Sequence, residues 1–273
     1  MKIVKIGLVQ ARKFFDKNKS SEQNSEINFN HSLQLLKKFN HNDAHIIIFP
    51  ELYPFNGTTI KEHQIEALSK EAERLNSYII VGETYKGKYN SATMIDKSGV
   101  VDRHFKMNLW YGEKELGISQ GKKLKVFKLG KFKVGILICY DFYEDIFSRK
   151  LVEKGAEIII VSSASVPAFL KYWTHDLIYQ SYKRLIPIVY VNAVLYKSST
   201  GEFYGGGLSK VVVPFKKIVT YKEMRESKDA IRDPKDLILV EMGKDESVAK
   251  VKLDLDKYTR FRKRRFRKEG TVR

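Results

Sequence analysis

The sequence predicts an α/β layered sandwich in a single domain, and three observations carry that prediction. Continuous apolar runs rich in β-branched residues, such as Ala44-His-Ile-Ile-Ile-Phe49 and Val134-Gly-Ile-Leu-Ile138, read as strands buried on both faces. Longer stretches with apolar residues three and four apart alternate with them, which is the pattern of helices packed on a sheet. Paired short runs flank Asp96-Lys-Ser-Gly99 and Gly130-Lys131 as hairpins do. At 273 residues the chain can bury a large core, and no linker, repeat or low-complexity stretch divides it.

Residues 2–10 form a first apolar strand ending in Gln10-Ala-Arg12. The polar stretch 16–28 reads as loop, and 29–40 has helical spacing at Phe29, Leu33, Leu36 and Phe39. A second buried strand runs to Pro50, which has no N–H for a ladder, so the chain leaves the sheet there with Glu51 just beyond. Helical spacing returns over 61–75, and 78–83 is a third strand. The hairpins join 89–95 to 100–105 and 124–129 to 133–138. The last of these runs delivers the sole cysteine, Cys139, and a helix follows through 153. A strand at 157–162 and a helix at 169–185 come next, then strands at 188–194, 207–213 and 218–221. A hydrophilic stretch, 222–236, is the best candidate for a mobile loop, and strands at 237–241 and 247–255 precede a basic end.

A single Cys excludes an internal disulfide and a Cys-rich zinc site. The opening Met-Lys-Ile-Val-Lys-Ile-Gly is a strand and not a secretory segment, and no apolar run approaches the roughly 18 residues of a membrane span. A soluble, cytoplasmic protein is expected, where a free thiol persists. The net charge of +18 raises the question of nucleic acid. Residues 260–273 supply +7 of it, and 256–273 reads as a basic C-terminal extension. The tail offers only Phe261 and Phe266 among its Arg/Lys run and no RNA-binding motif, so a solvated basic surface is expected and a nucleic-acid partner is not.

Three side chains stand just past strands: Glu51, Lys106 and Cys139. In layered α/β sheets chemistry collects beyond strand ends. A cysteine acts as its thiolate and needs a base or a positive charge beside it. Glu51 can take the thiol proton. Lys106, with a backbone N–H near Cys139, can stabilise the thiolate and then a tetrahedral oxyanion. None of the six His residues is required. Each member also has a plain reading: Cys139 as a small core residue, Glu51 as a helix-start acid, Lys106 as a surface lysine. Taken singly, the plain readings are the stronger ones.

Phe49-Pro-Glu51 with Leu52 and Gly57, Tyr89-Asn-Ser-Ala92…Gly99…Lys106, and Gly135…Cys139-Tyr-Asp141 together resemble the nitrilase (carbon–nitrogen hydrolase) superfamily. Gly7-Leu-Val-Gln10, Asn192-Ala193, Gly207-Leu-Ser209 and the final strand with its Arg-rich end extend the likeness over nearly the whole chain. The resemblance implies a four-layer αββα sandwich and a Glu–Lys–Cys triad. Cys139 would attack an amide or nitrile carbon, Glu51 would be general base, and Lys106 would stabilise the transition state. Ammonia or an amine would leave, and water would hydrolyse the thioester. A second active-site Glu is implied, with Glu113 favoured over Glu115 by its place relative to Gly121. No metal or organic cofactor is implied. A homodimer or larger homo-oligomer is, through the helix after Cys139 and residues 169–185.

The chain also departs from the family pattern. It has Phe142-Tyr-Glu-Asp-Ile146 where many members carry Arg-Phe-Pro-Glu, Asn108 where His is common, Lys183-Arg184 in place of Glu-Asn, and Val213-Pro214 in place of Asp-Pro. None touches the triad, so the rim of the pocket is where this chain should differ. Proximity in sequence nominates Tyr53, Phe55, Trp110, Tyr111, Tyr140, Phe142, Tyr143 and Trp173 as substrate-binding aromatics, with some of them core. Aromatic walls suit an apolar acyl group and keep water from a thioester. The expectation is an amide hydrolase, with nitrile hydrolysis by the same triad as the alternative. A nucleic-acid-binding protein and an inactive scaffold are weaker readings.

Overall fold

Period-two alternation along the strands sets the layering. In Ile46–Ile48 the outer two side chains enter an apolar cluster that also holds Val134, Ile136 and Ile138, while Ile47 faces a second cluster under helices. Along Phe132–Ile138 the same alternation sends Leu137 the other way, into a third cluster. Two sheets therefore share the middle cluster, and each buries its outer face separately. A computed structural model describes residues 1–197, 202–216 and 233–268.

The first sheet contains β1 (Ile3–Gln10), β2 (Ile46–Ile48), β3 (Pro54–Phe55), β4 (Tyr78–Tyr85), β5 (Tyr89–Asp96) and β6 (Gly99–Phe105). The second contains β7 (Val126–Leu129), β8 (Phe132–Ile138), β9 (Ile158–Ser163) and β10 (Ile188–Asn192). A separate ribbon is made by β11 (Val194–Lys197) and β12 (Glu202–Gly206). β13 (Lys210–Val212) and β14 (Ile238–Glu241) extend the second sheet, and β15 (Ser247–Asp254) returns to the first. The orders are β15-β1-β2-β4-β5-β6, with β3 on β4, and β14-β13-β10-β9-β8-β7. β1, β2 and β4 run parallel, as do β8, β9 and β10, so each sheet collects its strand C-termini along one edge.

Helices α1 (Ser21–Leu36) and α2 (Glu62–Leu75) cover the outer face of the first sheet. A short α3 (Tyr111–Glu115) follows β6. Helices α4 (Asp145–Glu153) and α5 (Pro167–Arg184) cover the second sheet, giving the expected αββα layers. Gly135 lets α4 sit close on β8, since a Cβ there would lie 2.8 Å from a methyl of Leu151. The chain closes with α6 (Leu255–Lys268).

The structure departs from the sequence expectations in a few places, each with a local cause. Helix α1 starts at Ser21 and not near 29. The Ser20 hydroxyl accepts from Gln23 N (3.2 Å) while the Gln23 side chain accepts from Ser20 N (2.9 Å), a capping box that starts the helix early. The first turns of α1 bury Asn24, Ser25 and Asn28, satisfied by loop carbonyls and by Thr58, so apolar spacing could not reveal them. The expected strand 207–213 begins only at Lys210, because Gly207 and Leu208 have φ of 64° and 55°. The expected strand 218–221 and most of the loop 222–236 lie outside the described residues, and Pro234–Leu237 is a 3-10 turn. The basic end begins as a docked helix. Leu255 and Tyr258 are buried in the middle cluster with Phe261 against it, and Arg262 Nη2 donates to the Ala156 carbonyl at 2.9 Å.

Candidate active site

The edge where β2, β8, β9 and β10 end gathers the polar residues of the two sheets. Cys139 stands immediately after β8 with φ of 44°, a conformation costly for a residue with a Cβ and one that recurs at functional turns. It opens a 3-10 turn, Cys139–Tyr143, whose Asp141 is completely buried. That carboxylate accepts from Ile138 N (3.0 Å), Met107 N (2.7 Å) and Asn108 N (2.6 Å), and His104 Nε2 lies 3.2 Å away. Asp141 thus ties the cysteine turn to the segment that presents Lys106. The two groups are positioned by one side chain.

Lys106 is 2% exposed although it is a lysine, and its surroundings explain this. Its Nζ donates to Glu51 Oε1 and to Glu113 Oε2, both at 2.7 Å. Asn90 Nδ2 bridges the same two carboxylates, donating to Glu51 Oε1 (2.8 Å) and Glu113 Oε1 (2.6 Å). Backbone donors complete the set: Ala164 N to Glu51 Oε2 (3.0 Å) and Trp110 N to Glu113 Oε2 (2.8 Å). Glu51 thereby joins the loop after β2 to the loop after β9, across the two sheets. Its own loop is pressed onto Gly82, where a Cβ would come within 2.3 Å of Leu52 N.

On the far side of the thiol, Cys139 Sγ lies 3.7 Å from Ser165 Oγ. Ser165 pairs with Ser163 (2.8 Å), and Tyr190 donates to Ser163 (3.3 Å). Asn192, at the end of β10, accepts from Ser165 N (2.8 Å) and donates to the Ser165 carbonyl (3.1 Å). These bonds fix the loop after β9.

The electrostatics follow from burial and the charges present. Burial works against the Lys106 ammonium, but the charges of Glu51, Cys139 and Glu113 outweigh it and raise the lysine above its ordinary value. Burial also works to raise Glu51, and Lys106 reverses this by charge and hydrogen bond, with Asn90 assisting, so the carboxyl is held below the usual range. Burial and then the Glu51 charge push the Cys139 thiol up to about 11, against the pull of Lys106. At neutral pH the resting site holds a protonated thiol beside an ionised carboxylate and an ammonium. A carboxylate in that position is chemically able to take a thiol proton.

A cavity of about 700 Å³ opens above these groups. Glu51, Lys106, Glu113 and Cys139 line it together, so the structure unites all four candidate polar residues. Glu115 is exposed. Of the aromatic candidates, Trp110, Tyr140, Tyr143 and Trp173 line the cavity. Tyr53 and Phe142 do not: both are fully buried. The Tyr53 hydroxyl is 2.8 Å from His31 Nδ1 under α1, because Leu52 (φ 52°) turns the chain back into the layer beneath the sheet. Phe55 goes the same way. Three residues per turn put Tyr140 and Tyr143 on one side of the 3-10 turn and send Phe142 inward, where it packs behind Trp173 with ring centroids 6.0 Å apart. Tyr111 points to solvent, 70% exposed, and is not part of the wall. Sequence reasoning missed the bridging Asn90, the Ser163–Ser165 pair, and the wall residues Leu52, Phe169, Tyr172 and Asp176. Asn90 and the serines carried a signal, as polar residues fully buried in or beside strands; the others did not. Among the described residues no group of three or more His, Cys, Asp or Glu is placed to hold a metal ion, and no helix is long and apolar enough to cross a membrane.

With this geometry in view, the chain matches the carbon-nitrogen hydrolase family over residues 5–219. The chain belongs to that family. It is a member of the nitrilase superfamily and a hydrolase acting on carbon–nitrogen bonds other than peptide bonds. This carbon–nitrogen hydrolase is 25% identical over 232 residues to an (R)-stereoselective amidase of a Pseudomonas species, covering 78% of this chain and 74% of the relative. It is 29% identical over 149 residues to a nitrilase of Pyrococcus abyssi, covering 48% of this chain and 56% of the relative. A CN-hydrolase superfamily protein of Xanthomonas campestris, solved with an arsenic adduct in its active site, shares the fold. Its TM-score is 0.74 at 17% identity, over 100% of this chain and 99% of that one.

Proposed function

We propose that this enzyme hydrolyses an amide to a carboxylic acid and ammonia or an amine, through a thioester on Cys139. The observation that carries the reading is a strained, partly accessible thiol sharing a cavity with a buried Glu51–Lys106–Glu113 cluster. In the first half-reaction Cys139 Sγ bonds to the amide carbon and its proton passes to Glu51. The oxyanion that forms is held by the Lys106 ammonium and a backbone N–H of the turn that begins at Cys139. Glu51 then delivers the proton to the leaving nitrogen, the C–N bond breaks, and the thioester remains. In the second half-reaction Glu51 takes a proton from water, the oxygen bonds to the acyl carbon, and the carbon–sulfur bond breaks to return the thiol. Glu113 keeps Lys106 charged and aimed. Trp110, Tyr140, Tyr143 and Trp173 wall the acyl group from bulk water.

The match to an amidase over about three quarters of both chains favours amides. The shorter match to a nitrilase makes nitriles the second reading, attacked at the same carbon by the same thiol. We propose a homodimer through α4 and α5, supported by the exposed rings of Tyr179 and Tyr182 on α5. Intact-protein mass spectrometry during turnover of amides, carbamoyl compounds and nitriles tests the chemistry. A mass increment equal to the acyl group, on wild type and absent from Cys139→Ala, is expected. Unchanged ammonia release by Cys139→Ala would refute the thioester.

A further inference from the structure

The chemistry near the thiol needs only a small part of the cavity. A volume of about 700 Å³ is far larger than an acetamide fills, and six aromatic side chains contribute to its wall. Trp110 meets Tyr140 edge-on (centroids 5.5 Å apart) and Phe169 (6.0 Å), and Tyr140 stacks on Tyr143 (5.2 Å). Helix α5 adds Phe169, Tyr172, Trp173 and, close to one turn on, His175 and Asp176 to the wall. The spacing of Tyr172 and Trp173 to Asp176, four and three residues, puts the three on one face of the helix.

Asp176 is unlike the other carboxylates of the cavity. Glu51 and Glu113 are each saturated by Lys106, Asn90 and a backbone N–H. Asp176 is half-buried, and among the described residues its carboxylate has no hydrogen-bond donor and no cation in contact. Burial raises its pKa, with only the charge of the adjacent His175 acting against this. A carboxylate taken partly out of water without a partner is costly. It lines the same cavity as the Tyr172 ring, whose face can attract a cation, and so offers a seat for an ammonium or guanidinium.

We infer that the preferred substrate is an amide whose acyl group has an apolar body and a cation at the end remote from the amide, held by Asp176 beside Tyr172. The inference rests on the amidase reading above and names its substrate class. The overall charge of +18 does not oppose it, because at physiological salt charges beyond about 8 Å are screened while Asp176 acts at contact.

The test compares isosteric pairs on the full chain: ω-aminohexanamide against heptanamide, and para-aminomethyl-phenylpropanamide against its para-ethyl counterpart. One charge-assisted hydrogen bond in a partly dry site predicts kcat/KM about tenfold or more higher for the amine of each pair, carried by KM. In Asp176→Asn the ratio falls toward one, and in Asp176→Lys the preference moves to adipic acid monoamide. A wild-type ratio near one, or a ratio that Asp176→Asn leaves in place, overturns the inference; the wild-type ratio decides even where a variant fails to fold. Turnover of heptanamide with an acyl adduct on Cys139 but no gain from the amine overturns this inference alone. No turnover and no adduct with any amide overturns the amidase reading together with it.

Discussion

The protonation state of Cys139 makes a prediction that separates the roles of its neighbours. Burial and the Glu51 charge take the thiol from 9.0 to about 11, and each unit is tenfold in thiolate, so at pH 7.5 the thiolate is about a hundredfold rarer than in an unperturbed cysteine. A reagent that needs free thiolate, such as methyl methanethiosulfonate, should therefore modify the enzyme more slowly than a model thiol, by about tenfold once the greater nucleophilicity of a higher-pKa thiolate offsets part of the loss. Its rate should rise with pH without a plateau until about pH 11. Replacing Glu51 by Gln removes the like charge but leaves Lys106, and loss of one like charge at such range lowers a pKa by about one unit or more. Glu51→Gln should then be modified about threefold or more faster at pH 7.5, a gain of about tenfold in thiolate being partly offset by its lower nucleophilicity, while amide hydrolysis falls by about 10²–10⁴ for want of the proposed base. Modification is followed by mass; Cys139 is the sole cysteine, so every adduct reports on it. Gln offers one acceptor where Glu51 offers two, which weakens either the Lys106 or the Ala164 contact. Protection by a competing amide distinguishes modification of the folded site from modification of unfolded chain. If Glu51→Gln slows modification in step with hydrolysis, or the wild-type rate levels off near pH 9, the charge assignment is wrong.

Three further outcomes follow from the same structure. The Glu51 carboxyl is held below its ordinary 4.5, so the stability it contributes is present above that value and is lost as pH falls through the folded-state value; kcat/KM and the urea midpoint should both hold down to pH 4.5 and decline together below it. Asp141→Asn leaves backbone donors of the Cys139 turn and the Lys106 segment facing an amide. A loss of about 1–3 kcal/mol in urea unfolding is expected, with kcat falling more than KM rises. Ending the chain after Asp254 strips Leu255 and Tyr258 from the middle cluster, each worth about 1.5–3 kcal/mol of burial, so the shortened protein should unfold at markedly lower urea or fail to fold.

Much of the architecture was legible because its central strands are buried on both faces and therefore spell apolar runs. Ile46–Ile48, Phe132–Ile138 and Ile158–Ser163 are of this kind. The start of α1 was illegible for the opposite reason, since the face it buries is Asn24, Ser25 and Asn28, and only the Ser20–Gln23 pair marks it. Glu51, Lys106 and Cys139 could be singled out because each is the first functional group past a strand. The cavity wall could not be read this way. Which aromatic faces the cavity depends on a positive φ at Leu52 and on a 3-10 turn after Cys139, and neither leaves a periodic trace. The remaining wall comes from α5, whose approach to Cys139 is set by the packing of Trp173 on Phe142 and Tyr190. Proximity in sequence points to Tyr53, Phe142 and Tyr111, but packing places the first two in the core and the third in solvent.

The resting proton distribution constrains how the proposed reaction proceeds. A thiol near 11 facing a carboxyl depressed by Lys106 makes proton transfer in the empty site strongly uphill, so a thiolate formed before substrate binds is a rare species. The difficulty is relieved by the substrate itself. As the oxyanion develops beside Lys106, it takes a share of the ammonium charge that in the resting site is spent on Glu51, and Glu51 becomes a stronger base as the thiol gives up its proton. Two carboxylates on one ammonium make this workable. Glu113, with Asn90 bridging, holds Lys106 in place and charged while its bond to Glu51 loosens. With only Glu51 as its partner, the ammonium would be free to follow whichever anion was stronger, and the proton and the oxyanion would compete for it. In this scheme the second glutamate acts through Lys106 and not on the substrate, while Lys13 adds a further positive charge that favours the Glu51 carboxylate.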